Sequence, residues 1–269
     1  MADSTTLLHA AVLGVVEGLT EFLPVSSTGH LILTGHVLGF AGPPGKVFEV
    51  VVQLGAILAV VALYAERLLR VAMRLPHDPA ARHFALTVAA AFLPAMVLGV
   101  VFHDAIKTVL FSPWVVVSAL ITGGAFILLA ETIRPVPRHH AAERLPLPLA
   151  VKVGLCQAVA MVPGVSRSGA TILGGMLLGV DRRAAAEFSF FLAIPTMLGA
   201  TVYDLYQIGP ELAAGDLLTI AVGFGLALVT AMVVIRAFLA FLTRHTFRVF
   251  GWYRIALGLS MAGVLLAHG

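Results

Sequence analysis

The chain is dominated by apolar stretches, several of them long enough to cross a lipid bilayer. A spanning helix needs about 20 mostly apolar residues. Only 12% of the 269 residues are charged, against about 25% in an ordinary soluble domain. We therefore predict an all-α integral membrane fold, with residues 1–269 forming a single membrane domain. The six predicted transmembrane helices are 47–64, 84–103, 113–130, 187–207, 217–242 and 249–268.

Two further apolar stretches are interrupted by a polar turn. The first, 7–23, breaks at Pro24 into two serines, a threonine and a glycine, and resumes as the short apolar arm 31–40. The second, 149–162, breaks into a serine, an arginine, a serine and a glycine, and resumes as 171–180. Irregular backbone at membrane depth is tolerated only where it lines a cavity or is buried in protein. We therefore predict two re-entrant helix-loop-helix pairs.

The two broken stretches match each other at a constant separation of 140 positions. The polar turns fall in register, and Glu17 falls on the polar residue Gln157. Interrupted helices at corresponding positions of two halves are typical of inverted-repeat membrane proteins with a midplane site. We predict such an inverted-topology internal repeat, with repeat 1 at about 7–130 and repeat 2 at about 149–269. The identical pairs are Gly14 and Gly154, Val25 and Val165, Ser26 and Ser166, Gly29 and Gly169, Ile32 and Ile172, Leu33 and Leu173, Leu38 and Leu178, and Gly39 and Gly179.

The distribution of arginine predicts the orientation of the chain. Cytoplasmic connections of membrane proteins carry an excess of Lys and Arg. If the arginine-rich connections are cytoplasmic, all six spans alternate correctly, both termini lie outside, and the two broken stretches enter from opposite sides. Because the basic residues follow this topology pattern, the net charge of +3 does not indicate nucleic-acid binding, which we exclude. Arginine is concentrated at 65–83, 131–148, 182–183 and 244–248, and is absent from the gaps 41–46, 104–112 and 208–216.

Glu17 and Glu21 are four residues apart, so on a helix they share one face. Two carboxylates at membrane depth are costly and need a cation, an arginine or shared protons. An acidic pair facing the outer interface is the alternative, but the surrounding stretch is almost wholly apolar. A hard divalent cation, Mg²⁺ or Ca²⁺, completed by phosphate oxygens of a substrate, suits the pair better.

The two polar turns carry groups that suit phosphate chemistry. The first offers serine and threonine hydroxyls, free backbone N–H groups that can hold a phosphate, and the imidazole of His30. Such a turn alone is weak evidence, since most serine-glycine clusters are plain turns. The second places Arg167 between two serines. A buried arginine needs an anion, which is either Glu17 or Glu21, or a substrate diphosphate held by the guanidinium group. These two readings are compatible.

The two turns resemble the signatures of a known family. Residues 17–30, EGLTEFLPVSSTGH, resemble the first signature of the undecaprenyl-diphosphatase family, also called the bacitracin-resistance proteins, and residues 163–171, PGVSRSGAT, resemble the second. The resemblance covers essentially the whole chain, including 48–51 and 186–190. It implies hydrolysis of the C55 lipid undecaprenyl diphosphate to undecaprenyl phosphate and phosphate, which recycles the lipid carrier for peptidoglycan and cell-wall synthesis. It also implies a divalent cation, a site open to the outer face of the bacterial plasma (inner) membrane, and bacitracin resistance.

The resemblance also suggests a role for each polar residue. Glu17 and Glu21 would hold the Mg²⁺ or Ca²⁺ ion. Ser27 would be the nucleophile or would activate water, His30 would be a general acid or base, and Arg167 would stabilise the transferring phosphoryl group. The lipid tail would lie in an apolar side opening between helices. Hydrogen bonds to the diphosphate are expected from Ser26, Thr28, Ser166, Ser168 and Thr171.

Two other functions were weighed against hydrolysis. Broken helices in inverted repeats are transporter architecture, but an ion-coupled transporter or lipid flippase does not need a nucleophile, an imidazole, carboxylates and an arginine together. The acid-phosphatase-like lipid phosphatases use a motif that the sequence lacks. Whether flipping of the product lipid is a second activity stays open, as does the oligomeric state, for which a homodimer is compatible with the sequence.

Overall fold

A computed structural model describes residues 3–40, 43, 47–102, 112–208 and 214–268. Within these ranges the chain forms eleven α-helices and two short 3₁₀ turns. Five helices are long and apolar enough to cross a membrane, or six if the bent pair α3–α4 is one span. The predicted all-α membrane fold is confirmed. The helices are α1 (Ser4–Thr20), α2 (Ser27–Leu38), α3 (Val47–Leu63), α4 (Ala65–Arg74), α5 (Pro79–Val101), α6 (Pro113–Ile133), α7 (Leu147–Ala158), α8 (Arg167–Leu177), α9 (Arg182–Ile208), α10 (Ala214–Leu242) and α11 (Arg248–His268).

The largest differences from the hydropathy prediction are the starts of α5 and α9 and the presence of α4, and each has a local cause. Helix α5 begins five residues earlier than predicted, because Asp78 accepts the N–H of Ala80 at 2.8 Å and a proline starts the helix. Helix α9 also begins five residues earlier, because Asp181 accepts the N–H of Arg183 at 3.0 Å. Helix α4, which was not predicted, bends by 70° from α3 and buries none of its residues. Polar caps and an amphipathic helix leave little trace in a hydropathy profile.

The two re-entrant pairs pack in equivalent ways. Helix α1 lies along α10, and its counterpart α7 lies along α5. The approach depends on matched glycines. A Cβ added to Gly14 would lie 2.3 Å from the carbonyl oxygen of Gly223, and one added to Gly154 would lie 2.2 Å from that of Ala91. Two glycines that the sequence aligns therefore perform the same packing role in the two halves.

The second helix of each pair has a matching serine cap at its start and an aligned glycine just beyond its end. Ser26 accepts the N–H of Gly29 at 3.4 Å, and Ser166 accepts the N–H of Gly169 at 3.1 Å, so both are N-caps. The returning arms reach aligned glycines with positive φ, 61° at position 39 and 88° at position 179. These equivalences support the internal repeat, while its extents, 7–130 and 149–269, stay a prediction.

The arginine-rich connections contact one another at one end of the helix bundle. Arg67 pairs with Glu143 and with Glu187 at 3.2 Å. Arg182 pairs with Glu131 at 2.9 Å and donates to the carbonyl of His245 at 3.1 Å. All four arginine-rich segments therefore lie on one side, as the charge pattern requires. The charge-poor gaps 41–46, 104–112 and 208–216 lie largely outside the described residues, as does the C-terminal position 269.

The matched glycines generate a test of the packing. Gly14→Ala and Gly154→Ala should each lower the melting temperature of the detergent-solubilised protein, since overpacking costs roughly 1–3 kcal/mol. Gly225→Ala is the control, because nothing lies within 4 Å of its added Cβ and alanine is the better helix former. Melting temperatures unchanged in both aligned variants would contradict the close approach of α1 to α10 and of α7 to α5.

Candidate active site

The first loop, between α1 and α2, turns sharply at Ser26. Among the described residues Ser26 is the only non-glycine residue with positive φ, at 71°. Its hydroxyl caps α2 and its carbonyl accepts His30 Nδ1 at 2.7 Å. Strained backbone of this kind persists only where the surroundings hold it, and it clusters at functional sites. The turn makes Ser27 the first residue of α2.

One carboxylate joins the first loop to the second, which runs between α7 and α8. The Ser27 hydroxyl donates to Glu21 Oε2 at 2.6 Å, while Arg167 Nη2 donates to Glu21 Oε1 at 2.8 Å. Glu21 is 5% exposed, so these charge-assisted hydrogen bonds are shielded from bulk solvent. The structure therefore brings together a hydroxyl, a carboxylate and a guanidinium that the sequence predicted as site residues. Arg167 pairs with a glutamate in this state, as one of the two predicted readings requires.

The other hydrogen bonds of the Arg167 guanidinium go to Ser189 on α9, a residue that was not predicted from the sequence. Arg167 Nη1 donates to the carbonyl of Ser189 at 3.1 Å and to its hydroxyl at 3.3 Å. The same hydroxyl bonds to that of Thr171 at 2.6 Å. Arg167 Nε has no partner among the described residues, so one donor is available to an anion. The sequence did carry a sign of Ser189, because it is a polar residue within a mostly apolar span.

Glu17 differs from Glu21 in having no partner. It is fully buried, and neither carboxylate oxygen has a hydrogen-bond partner among the described residues. A buried charge without compensation is unfavourable, so this carboxylate suits a bound cation. The described residues contain no group of three His, Cys, Asp or Glu side chains able to hold a metal. A cation at Glu17 therefore fits only if substrate oxygens supply part of its coordination, as the sequence predicted.

The serines of the second loop tie the two loops together. The Ser168 hydroxyl donates to the carbonyl of Leu23 at 2.7 Å. The Ser166 hydroxyl lies 3.3 Å from the same carbonyl and 2.9 Å from the Ser168 hydroxyl. These hydroxyls, which were predicted to bind the diphosphate, serve here to join the loops. The side chain of Thr28 is exposed, and no hydrogen bond joins it to this cluster in the described part of the chain.

His30 is held by Tyr253 of α11, a second residue that sequence reasoning missed. His30 Nδ1 faces the Ser26 carbonyl at 2.7 Å, and Nε2 faces the Tyr253 hydroxyl at 2.6 Å. A carbonyl only accepts, so Nδ1 carries the proton and Nε2 accepts from Tyr253. The two rings stack with centroids 5.6 Å apart. No hydrogen bond links His30 to Ser27 within the described ranges.

Arg254, next to Tyr253, is a third missed residue. It is 2% exposed and donates to the carbonyls of Pro24 at 3.3 Å and Gly164 at 2.9 Å. The sequence did point to Arg254, because an ionisable residue inside an apolar span is normally a candidate for a functional role. It was overlooked because α11 carries no motif.

An apolar cavity of about 560 Å³ lies beside the second loop, between α5 and α9. Arg167 and Gln157 contribute its polar wall near the loop. From Thr196 to Asp204, both of which line it, α9 rises by about 12 Å. The cavity therefore runs from the guanidinium towards the C-terminal ends of α5 and α9. The other residues that line it include Phe92, Met96, Val100, Met161 and Met197.

Fold and site together define a class of polytopic membrane protein in which two re-entrant loops form one polar site. The chain belongs to the family described as bacitracin resistance protein BacA, whose model matches residues 10–260. Relatives named undecaprenyl-diphosphatase include one from Cereibacter sphaeroides, 54% identical over 99% of both chains. Others are from Parvibaculum lavamentivorans, 54% identical over 95% of this chain and 96% of the relative, and Paracoccus denitrificans, 52% identical over 98% of both. The predicted family is confirmed.

The contrast between the two glutamates predicts opposite effects on stability. Glu21→Gln weakens the buried pairing of Arg167 and should lower the melting temperature, since removing one partner of a buried ion pair costs roughly 3–5 kcal/mol. Glu17→Gln keeps the shape of a buried side chain whose carboxylate oxygens have no hydrogen-bond partner among the described residues, so it should leave the melting temperature unchanged or raise it. Thermal unfolding in detergent, without added divalent cation, checks both. Equal destabilisation by the two variants would contradict the assigned pairing.

Proposed function

We propose that the chain hydrolyses undecaprenyl diphosphate to undecaprenyl phosphate and phosphate in a bacterial plasma membrane, returning the lipid carrier to peptidoglycan synthesis. The observation that carries the proposal is the Glu21 carboxylate, which contacts a serine hydroxyl on one oxygen and a buried guanidinium on the other. Relatives named undecaprenyl-diphosphatase, more than half identical over nearly the full chain, support the same activity. Sequestration of this substrate by bacitracin links the activity to resistance.

The geometry suggests how the proton and the charge move. If the Ser27 oxygen attacks the terminal phosphorus, Glu21 is placed to take the Ser27 proton, and water then hydrolyses the phosphoserine and releases phosphate. If Ser27 instead orients an attacking water, the water's proton passes through the Ser27 hydroxyl to Glu21. The undecaprenyl phosphate group leaves as the bridging oxygen bond breaks. Once protonated, Glu21 no longer neutralises Arg167, so the guanidinium becomes available to the transferring phosphoryl group. Catalysis would then consist mainly of positioning and electrostatic stabilisation.

A Mg²⁺ or Ca²⁺ ion is part of the proposal. Glu17 would hold it, with Glu21 beside it, and substrate phosphate oxygens would complete its shell. Such an ion would supply positive charge against the diphosphate. The unpartnered oxygens of Glu17 support this assignment.

The cavity beside Arg167 provides a place for the substrate. Its apolar wall suits a polyprenyl tail, and the free Nε of Arg167 suits the first phosphate of the head group. The cavity runs towards the ends of α5 and α9 that lead into charge-poor connections, which the arginine pattern places outside. We therefore propose that the site opens to the outer (periplasmic) face, with both termini on that side.

Some predicted roles remain proposals without geometric support. Ser26, Ser166, Ser168 and Thr171 would donate to the diphosphate only after leaving their present partners, and Thr28 would have to turn towards the site. His30 would act as acid or base through the chain that it forms with Tyr253. The homodimer also stays a prediction.

The test of the proposed function is phosphate release by the purified protein. Wild type should release phosphate from undecaprenyl diphosphate in detergent with Mg²⁺ or Ca²⁺, and Ser27→Ala, Glu17→Gln and Glu21→Gln should lose most of this activity. Arg167→Lys should be nearly as damaging as Arg167→Ala, because lysine cannot bind Glu21 and Ser189 together. In the two Arg167 variants the rate of phosphate release should fall by roughly 10³–10⁵-fold, and the fall should appear mainly in kcat.

Arg236→Lys is the matched control, because Arg236 is an exposed arginine on α10. It should keep the wild-type rate. If Arg167 merely neutralises Glu21, lysine should restore most turnover and Arg167→Ala should chiefly lower the melting temperature. Lipid transport by wild type without any phosphate release would instead favour the transporter reading.

The proposed orientation is tested by cysteine accessibility. Cys156 is the only cysteine, so Cys156→Ala provides the background. Asp3→Cys should react with a membrane-impermeant thiol reagent added to spheroplasts, because the N-terminus lies outside. Ala141→Cys, in an arginine-rich connection, should react only after the membrane is permeabilised. The reverse pattern would overturn the orientation and would say nothing against the hydrolase activity.

A further inference from the structure

Arg254 is a buried cation whose hydrogen bonds all go to backbone carbonyls. Its guanidinium group, 2% exposed, donates to Pro24, Gly164 and Ala119, with a longer 3.5 Å contact to Leu120. No Asp or Glu of the described residues forms an ion pair with it. A charge buried without an anion is costly. The contacts that hold this charge in place therefore indicate a specific role.

The two loop carbonyls that Arg254 binds are equivalent positions of the repeat. Pro24 and Gly164 are 140 positions apart, the same separation that aligns the two broken stretches. Each carbonyl lies three residues before a key group of the site, Ser27 in the first loop and Arg167 in the second. Arg254 thus binds both loops at corresponding points, immediately before the residues that face Glu21.

Helix α6 packs closely against the guanidinium group of Arg254. A Cβ added to Gly123 of α6 would lie 2.3 Å from Arg254 Nη2 and 2.8 Å from its Cζ. Arg254 also donates to the carbonyl of Ala119 on α6 at 2.9 Å. Helix α6 therefore fixes the guanidinium from one side while the two loops fix it from the other.

We propose that Arg254 is a positioning residue that holds the first and second loops at the separation that phosphoryl transfer requires. The inference rests on the proposed function. The planar guanidinium spans two loops through separate nitrogens, which a lysine ammonium cannot reproduce. The direct links from Ser166 and Ser168 to Leu23 join the loops on their own, and Arg254 adds a link to the rest of the bundle. Loss of Arg254 lets the loops shift relative to each other without removing any group that touches substrate.

Hydrogen exchange tests the position of Arg254 independently of activity. In Arg254→Gln and Arg254→Lys, amides in peptides covering 21–27 and 162–168 should exchange at least tenfold faster, and both peptides should respond together. Gly123→Ala should do the same, because its new Cβ displaces the guanidinium while the charge remains. Arg236→Gln and Gly225→Ala, which alter an exposed arginine and a glycine with open space around it, are the matched controls and should change neither peptide.

Kinetics then separates positioning from simple stabilisation. A misplacement of about 1 Å in a site can lower the rate by roughly a hundredfold, so kcat per folded protein should fall by about this factor in Arg254→Lys and Gly123→Ala. KM should stay near the wild-type value, because no group that binds the substrate is removed. A purely structural Arg254 would lower the melting temperature and leave kcat of the folded fraction unchanged.

Each outcome decides the proposal. Faster exchange in only one loop, or in neither, overturns the bridging role, and so does a kcat within about twofold of wild type in both Arg254→Lys and Gly123→Ala. If Arg254→Gln fails to fold, the other two variants still decide the question. If wild type releases no phosphate, the proposed function fails, whereas the exchange experiment still reports whether Arg254 holds the loops.

Discussion

The arrangement of the site depends on the need to keep charged groups stable at membrane depth. An isolated charge there is strongly unfavourable, so each one must find a partner, and the partners determine the geometry. Glu21 satisfies this need for Arg167 and at the same time receives the hydroxyl of Ser27. The ion pair between Glu21 and Arg167 thus also holds the groups proposed to react near one another. Among the described residues, Glu17 is the buried carboxylate whose oxygens have no hydrogen-bond partner, which is why we propose that it holds a cation.

The internal repeat explains how two short loops are held in fixed positions. Each loop is flanked by a first helix packed at a glycine and a second helix capped by a serine, and the same positions perform these tasks in both halves. A loop in a membrane would otherwise expose unsatisfied backbone groups. Here the Leu23, Pro24 and Gly164 carbonyls accept hydrogen bonds from Ser168 and Arg254. The scaffold therefore satisfies the irregular backbone through the same contacts that orient it.

Much of the architecture could be predicted from the sequence, because lipid makes long apolar runs and polar breaks easy to read. The helices of the spans, the two broken stretches and the association of the arginine-rich connections all follow from that contrast. Glu21, Ser27 and Arg167 were predicted together because they stand in two motifs. Ser189, Tyr253 and Arg254 were missed because their roles arise from contacts between helices distant in sequence, such as the bond from Tyr253 to His30. Helix α4 was not predicted because it is an amphipathic helix and not a continuous apolar run.

The two halves of the repeat share their helix packing and serine caps but differ in the side chains that they present to the site. Ser27 in one half corresponds to Arg167 in the other, and Glu17 corresponds to Gln157. Identical halves would present the same groups to substrate arriving from either leaflet, and the site would have no preferred direction. With hydroxyl and carboxylate on one side and guanidinium on the other, a head group can be aligned in one sense only. Divergence of the two halves thus gives a nearly symmetric scaffold a direction, as the proposed reaction at one face of the membrane requires.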